Sequence, residues 1–183
     1  MKPDEEQFQA YVEDLQQGYR ASRRMTKGNE RLALMVVLVA VTKRSIPEVI
    51  NITINQFKMR NGKCRFRGLS PRAKEPYYIE FPIEFYEYLV GYCERFHIAA
   101  GDRLFDMNAE YAGNRFRELR KTKGYHFGVN DIKRMIPFSY GTEQYKKVVR
   151  KCVDLLYECS MGNGYLCHTG SKVSSQISKF FSE

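Results

Sequence analysis

Residues 32–53, LALMVVLVAVTKRSIPEVINIT, decide how the rest of the chain is read. From Leu32 to Val41 the residues are apolar almost without a break, in a run too short to cross a bilayer. A helix that is apolar on every side has to be surrounded by protein, so this run predicts the central buried helix of a globular domain. The sequence then turns polar at Thr42-Lys43-Arg44-Ser45. Beyond that corner, Val49, Ile50 and Ile52 supply the apolar positions of a short amphipathic segment. A buried helix that enters a polar corner and a second short helix can hold polar groups rigidly over a surface.

Upstream, residues 4–24 predict a helix with Phe8, Tyr11, Val12, Leu15 and Tyr19 on one face. Asp4, Glu5 and Glu6 open it and Arg20, Arg23 and Arg24 close it, as the helix dipole favours, and Lys27-Gly28-Asn29 breaks it. Downstream the period changes. Ile52, Ile54 and Phe57 lead into Arg60-Asn61-Gly62, an Asn-Gly hairpin signal. Lys63-Cys64-Arg65-Phe66-Arg67 alternates as a half-exposed strand does, residues 68–75 read as a polar basic loop, and Tyr77-Tyr78-Ile79-Glu80-Phe81 reads as a third strand. Pro82 then starts a helix in its first turn, with Phe85, Tyr88, Leu89 and Tyr92 inward, running to about His97.

Leu104-Phe105 is a short apolar insert. Residues 109–122 predict a helix with Tyr111, Phe116 and Leu119 inward and a basic outer face of Arg115, Arg117, Arg120, Lys121 and Lys123. Residues 130–138 predict a short helix stopped near Pro137. Thr142 caps a longer one to about Cys159, and residues 171–181 predict a last short helix. The sum is a mainly α protein with one small three-stranded antiparallel sheet. No shift in composition marks a boundary, so residues 1–183 are expected to form one domain, with 1–24 as an N-terminal helix and 171–183 as a C-terminal packing helix.

Thirty Lys and Arg against 21 Asp and Glu leave a formal charge of +9, which favours a polyanionic partner, nucleic acid or an anionic membrane surface. The five cysteines include no CxxC pair and the chain is not small. That pattern speaks for reduced thiols in a cytosol-like compartment and against a disulfide framework or a zinc site. The start, MKPDEEQFQ, is acidic and polar and reads as no signal peptide.

The order of features then resembles one family. Thr42-Lys43-Arg44-Ser45-Ile46-Pro47-Glu48-Val49-Ile50-Asn51-Ile52-Thr53 is similar to the tyrosine recombinase (phage integrase) motif TGLRISEVLNLT. A basic hairpin follows, as in that family, and Val129-Asn130-Asp131-Ile132-Lys133-Arg134 resembles its HDLRR. Leu166-Cys167-His168 resembles LGH, and Ser174-Ser175-Gln176-Ile177-Ser178 resembles the run that carries the nucleophilic tyrosine. The resemblance covers roughly residues 25–180 and implies the tyrosine-recombinase catalytic-domain fold. In that family the tyrosine attacks a backbone phosphate while two arginines grip its free oxygens in bidentate fashion and a histidine or lysine manages protons.

The slots are changed here. Anchored on Glu48, the first arginine slot holds Ser45, with Arg44 beside it. The next two hold Asn130 and Lys133, with Arg134 one position late. Lys74 fits the hairpin lysine, His168 the late histidine, and the nucleophile slot falls near Ser178, with no tyrosine after Tyr165. The resemblance therefore implies a double-stranded DNA-binding protein that does not cut: a repressor, an accessory factor or an architectural protein of a phage or other mobile element, in the host cytosol. It needs no cofactor and no metal. An active recombinase and a protein-interaction module are the alternatives. Family enzymes usually carry a separate N-terminal clamping domain, and the expectation here is either a longer parent protein or reliance on dimers. Homo-oligomer contacts are expected at Val173, Ile177, Phe180 and Phe181.

The DNA-binding candidates are Lys43, Arg44, Lys63, Arg65, Arg67, Arg72, Lys74, Arg115, Arg117, Arg120, Lys121, Lys133, Arg134, His168 and Lys172. Each has a plainer reading. Lys43-Arg44 also suits a solvated helix end, and cations on a hairpin also guard an exposed strand edge. The basic helix face also suits plain solvation. His97 and His126 read as structural or surface residues, with no ligand partners at metal spacing, and Tyr140, Tyr145, Tyr157 and Tyr165 as packing residues.

Overall fold

The computed structural model describes residues 1–162, with side chains through Glu158. Helix α1 (Glu5–Gln17) opens on a reciprocal cap: Asp4 accepts from the Gln7 amide at 2.8 Å, and the Gln7 side chain accepts from the Asp4 amide at 3.1 Å. It ends well before residue 24. Gly18 takes φ +87, and a Cβ there would stand 2.1 Å from the Thr26 carbonyl oxygen, so the chain leaves the helix and doubles back. Strands β1 (Gly18–Ala21) and β2 (Arg24–Lys27) pair antiparallel about a tip where Ser22 is left-handed at φ +50. The cations expected in a last helical turn lie on this two-stranded ribbon instead.

Helix α2 (Glu30–Thr42) is the expected central element. Asn29 caps it, and every residue from Leu32 to Thr42 is buried. Lys43 stops it in the left-handed region at φ +56. Helix α3 (Ile46–Val49) follows the polar corner, and Val49, Ile50 and Ile52 are buried as expected. After a 3-10 turn (Ile54–Gln56), strands β3 (Phe57–Arg60), β4 (Lys63–Leu69) and β5 (Pro76–Phe81) form the expected antiparallel sheet in the order β3-β4-β5. Asn61 (φ +50) and Gly62 (φ +71) make the tight hairpin turn. Strand β4 reaches Leu69, past the expected start of the loop, because Gly68 lies directly under the Tyr77 ring of β5.

The inner sheet face stacks Phe57, Phe66 and Phe81 with Phe85 of helix α4 (Ile83–Arg95). Phe81 and Phe85 have ring centres 4.4 Å apart. Pro82 caps α4 from outside rather than sitting in its first turn. Helix α5 (Ala109–Lys123) buries Phe116 and Leu119, but Tyr111 is 46% exposed, not inward: Ala112 takes the buried position in that turn. Helix α6 (Val129–Ile132) is a single turn. The helix expected through residue 138 stops early, since Pro137 lacks an amide proton and biases Ile136 away from the helical region.

Helix α7 (Glu143–Gly162) is capped by Thr142, whose hydroxyl accepts from the Tyr145 amide at 3.2 Å. Tyr145, Val149, Cys152, Val153 and Leu156 are buried on it, and it packs on α1 and α2. The Tyr145 and Tyr140 hydroxyls each donate at 2.5 Å to the last α2 carbonyls, those of Val41 and Thr42. These carbonyls have no partner within their own helix. The expected helix at 171–181 lies outside the described residues, together with His168, Lys172, Ser178, Val173, Ile177, Phe180 and Phe181.

Candidate nucleic-acid interface

The polar corner between α2 and α3 is tied down by its own chain. The Lys43 ammonium donates to the Phe138 carbonyl at 2.5 Å and stands 5.2 and 5.6 Å from the ring centres of Tyr140 and Tyr145. Burial there pulls its pKa below the ordinary lysine value. The Arg44 guanidinium lies 4.6 Å over the Tyr77 ring, and Tyr77 stacks on Tyr140 at 5.3 Å. Arg44 also comes within 3.9 Å of Glu48. Ser45 caps α3: its amide and its hydroxyl both donate to one Glu48 oxygen, at 2.8 and 2.5 Å. Burial works to raise the Glu48 pKa, but the two Ser45 hydrogen bonds, Arg44 and Lys133 outweigh it and hold the carboxyl below its ordinary value.

Beside this corner is a hollow of about 390 Å³, with Ser45 and Pro47 on one wall, Arg117 and Arg120 of α5 on another, and Asn130 and Asp131 of α6 on a third. Ser45 and Asn130, 85 positions apart in sequence, thus face one space. The Lys133 charge reaches Glu48 next to it, and Arg134 is exposed. Lys74 is not part of that wall. On α5, Arg117 donates to the Gly113 carbonyl and to Asn114, and Arg120 to the Tyr125 carbonyl. Arg115 pairs with Glu118 at 2.6 Å and Lys123 with Asp14 at 3.1 Å. Lys121 is exposed and in no ion pair among the described residues.

The outer face of the three-stranded sheet is the second basic surface. Lys58 and Arg60 of β3 stand beside Arg65 and Arg67 of β4 and Tyr78 of β5 around a hollow of about 470 Å³. Arg65 lies 3.9 Å over the Tyr78 ring, and Lys63 pairs with Glu80 at 2.9 Å. Lys58, Arg60, Arg67, Arg72 and Lys74 make no ion pair among the described residues. The β4–β5 loop is closed by the Lys74 amide donating to the Ser70 carbonyl at 2.8 Å, with Lys74 left-handed at φ +52. Sequence reading passed over Lys58 and Arg60, although Phe57-Lys58-Met59-Arg60 carries the same alternation as β4. It also passed over the exposed cations of the β1–β2 ribbon, Arg20, Arg23, Arg24 and Lys27.

Other ionisable groups are packed as structural ones. Burial pushes the Tyr140 phenol up to about 12, and the Tyr145 and Tyr157 phenols well above their ordinary value. Cys64, Cys93 and Cys152 are free, buried thiols, each raised by burial to about 12. Among the described residues, no group of three or more His, Cys, Asp or Glu is placed to hold a metal ion. No described helix is long and apolar enough to cross a membrane.

By sequence, no protein-family model matches the chain, and no curated protein matches it either. By structure, it is similar to XerH site-specific recombinase solved with its difH substrate before cleavage: TM-score 0.55, 11% identity, 92% of this chain and 53% of that one. It is also similar to XerH bound to a palindromic difH substrate after cleavage: TM-score 0.53, 13% identity, 97% of this chain and 52% of that one. The fold is therefore that of a tyrosine recombinase, and this chain spans about half the length of the recombinase chains it resembles.

Proposed function

We propose that residues 1–183 act as one domain that binds duplex DNA and leaves the strand intact, as a repressor or accessory factor of a phage or mobile element working in a host cytosol. The observation that carries this reading is Ser45. It stands on the wall of the α3–α5–α6 hollow, where the family resemblance calls for an arginine, and its hydroxyl is taken up by Glu48. The arginine next to it does not replace it: Arg44 is held over Tyr77 and beside Glu48. Asn130 on the opposite wall cannot serve as a general base near neutral pH. Lys133 offers a point charge without the bidentate fork. The slot near Ser178 has an alcohol in place of a phenol.

Binding rests on the cations with no ion-pair partner. Arg67, Arg72 and Lys74 at the β4–β5 end, with Lys58 and Arg60 beside them, contact phosphates in this reading. Arg117 and Arg120 approach from the hollow, and Lys121, Lys133 and Arg134 complete the proposed set. Lys43, Arg44, Lys63, Arg65 and Arg115, each engaged with a partner of its own chain, are secondary contacts in this reading, and His168 and Lys172, outside the described residues, are assigned to DNA by the family resemblance alone. Self-association through Val173, Ile177, Phe180 and Phe181 would supply a second half-site. The test is a gel shift over a salt series: the reading requires a retarded duplex whose affinity falls steeply with salt, and a chain that retards no duplex at low salt sinks it.

A further inference from the structure

We propose that the β1–β2 ribbon, Gly18–Ala21 with Arg24–Lys27, is a wing that lies along duplex DNA flanking the main contact surface. This rests on the duplex-binding reading above and adds an element that neither the sequence pattern nor the recombinase resemblance assigns.

Four cations, Arg20, Arg23, Arg24 and Lys27, fall within eight positions. All are exposed, and none is in an ion pair among the described residues. The pairing sets Arg20 opposite Met25 and Gly18 opposite Lys27, so Arg20, Met25 and Lys27 share the outward face, while Tyr19 and Thr26 face the body and Arg24, opposite Ala21 at the tip end, lies on their side yet is exposed. Arg23 stands at the tip. Met25 is 69% exposed on the face it shares with Arg20 and Lys27. An apolar side chain flanked by cations suits a nucleic-acid groove, where the phosphates take the charges and the base edges take the thioether.

A ribbon of two four-residue strands does not hold its shape alone in water, and this one is pinned at its base. The Asn29 amide donates to the Leu15 carbonyl at 2.6 Å, closing the ribbon onto the end of α1. A Cβ on Gly28 would stand 1.7 Å from the Gln16 carbonyl oxygen, so the two chain segments touch there. Tyr19 is 4% exposed, so the ribbon is packed onto the body on that face, where the charges of Glu118 and Arg115 act on the phenol. Helix α1 is itself tied to α5 through Lys123–Asp14 and through the Tyr11 hydroxyl, which donates to the Phe116 carbonyl. The ribbon is therefore anchored through α1 to α5, the helix that brings Arg117 and Arg120 to the hollow. A charged tip on a rigid base presents its cations with little ordering left to do on binding.

The experiment compares the full chain with the variant Arg20→Gln, Arg23→Gln, Arg24→Gln, Lys27→Gln on a 40-base-pair duplex (a length that exceeds the body of the domain at about 3.4 Å per pair). Circular dichroism and a urea midpoint confirm that each variant is folded. A control variant, Lys146→Gln, Lys147→Gln, Arg150→Gln, Lys151→Gln on α7, removes the same charge, from residues of which Lys146, Arg150 and Lys151 already have acidic partners. The ribbon variant should bind at least about tenfold more weakly and lose roughly two to four from the slope of log affinity against log salt. Its hydroxyl-radical footprint should be shorter at one end, and the α7 control should keep the wild-type footprint.

Equal slope and footprint in the ribbon variant, or an equal loss in the α7 control, overturns the wing and leaves the duplex-binding reading standing. A wild-type chain that binds no duplex overturns both. A ribbon variant that keeps full DNA affinity but loses wild-type retention on phosphatidylserine vesicles overturns the wing in favour of a membrane contact.

Discussion

Glu48→Ala tests the corner on which the functional reading depends. The substitution removes the acceptor for both Ser45 donors and the nearest acid to Arg44. Losing a reciprocal helix cap costs about 1 kcal/mol. The buried Arg44 Nε already has no hydrogen-bond partner, so removing its carboxylate neighbour adds a charge-assisted loss of about 1 kcal/mol, kept at the low end because both side chains are about a quarter exposed. The sum of about 2 kcal/mol should lower the urea midpoint with no change in slope, and lower Tm by about 4–8 °C for a chain of this size. The pH dependence has a fixed sign. Folding holds the Glu48 carboxyl below its ordinary value of 4.5, so its contribution is fully present above that pH and is lost as pH falls through the lower folded value. Wild type should therefore lose stability over Glu48→Gln below about pH 4.5 and converge with it in stronger acid. An Ala variant within about 0.5 kcal/mol of wild type, or a gap to Gln that widens in acid, would refute the assignment of Glu48 as the cap that holds Ser45.

Tyr140→Phe with Tyr145→Phe strips the last two α2 carbonyls of their donors and should cost about 2 kcal/mol in urea unfolding. Gly28→Ala drives a methyl into the Gln16 carbonyl and should cost more than about 2 kcal/mol, or displace the ribbon, read by the urea midpoint and amide exchange at Gly18–Ala21. Arg72→Ala with Lys74→Ala should weaken binding to every duplex tested and lower the salt slope by about two. Unchanged affinity removes the β4–β5 loop from the interface. Arg117→Ala with Arg120→Ala should do the same for the hollow, measured by the same titration.

The sequence made the central layers legible because their signals are local. An unbroken apolar run has one physical solution, and α2 adopts it. The Asn-Gly pair fixed the β3–β4 turn, and the alternation of Lys63 to Arg67 fixed which cations face out. The misses share a different cause. Gly18 lies inside the helix expected over residues 4–24, but the backbone of Thr26, eight residues on, occupies the space beside it and the chain turns back there. The Arg20, Arg23 and Arg24 series fits a helix C-terminus and a ribbon equally well on charge alone. Tyr111 stands five positions before Phe116 and so off its face, while Ala112, four before it, shares that face and is buried. At the site, the changed slots were readable by alignment with a motif. That Ser45 is spent on Glu48 is a local cap three residues long, whereas the stacking of Arg44 on Tyr77 depended on β5 and the 137–140 turn arriving at the corner from elsewhere in the chain.

The most direct measurement of the central claim uses a duplex selected by the protein from a random pool, nicked in turn at successive positions so that any cleaved strand end diffuses away. After incubation, one half of each sample runs on a native gel and the other on a denaturing gel. The account predicts a retarded band on the native gel and only free DNA on the denaturing one, at every nick position. A protein–DNA adduct that survives denaturant, and that disappears when a single tyrosine is changed to phenylalanine, would contradict it and make this chain a working recombinase.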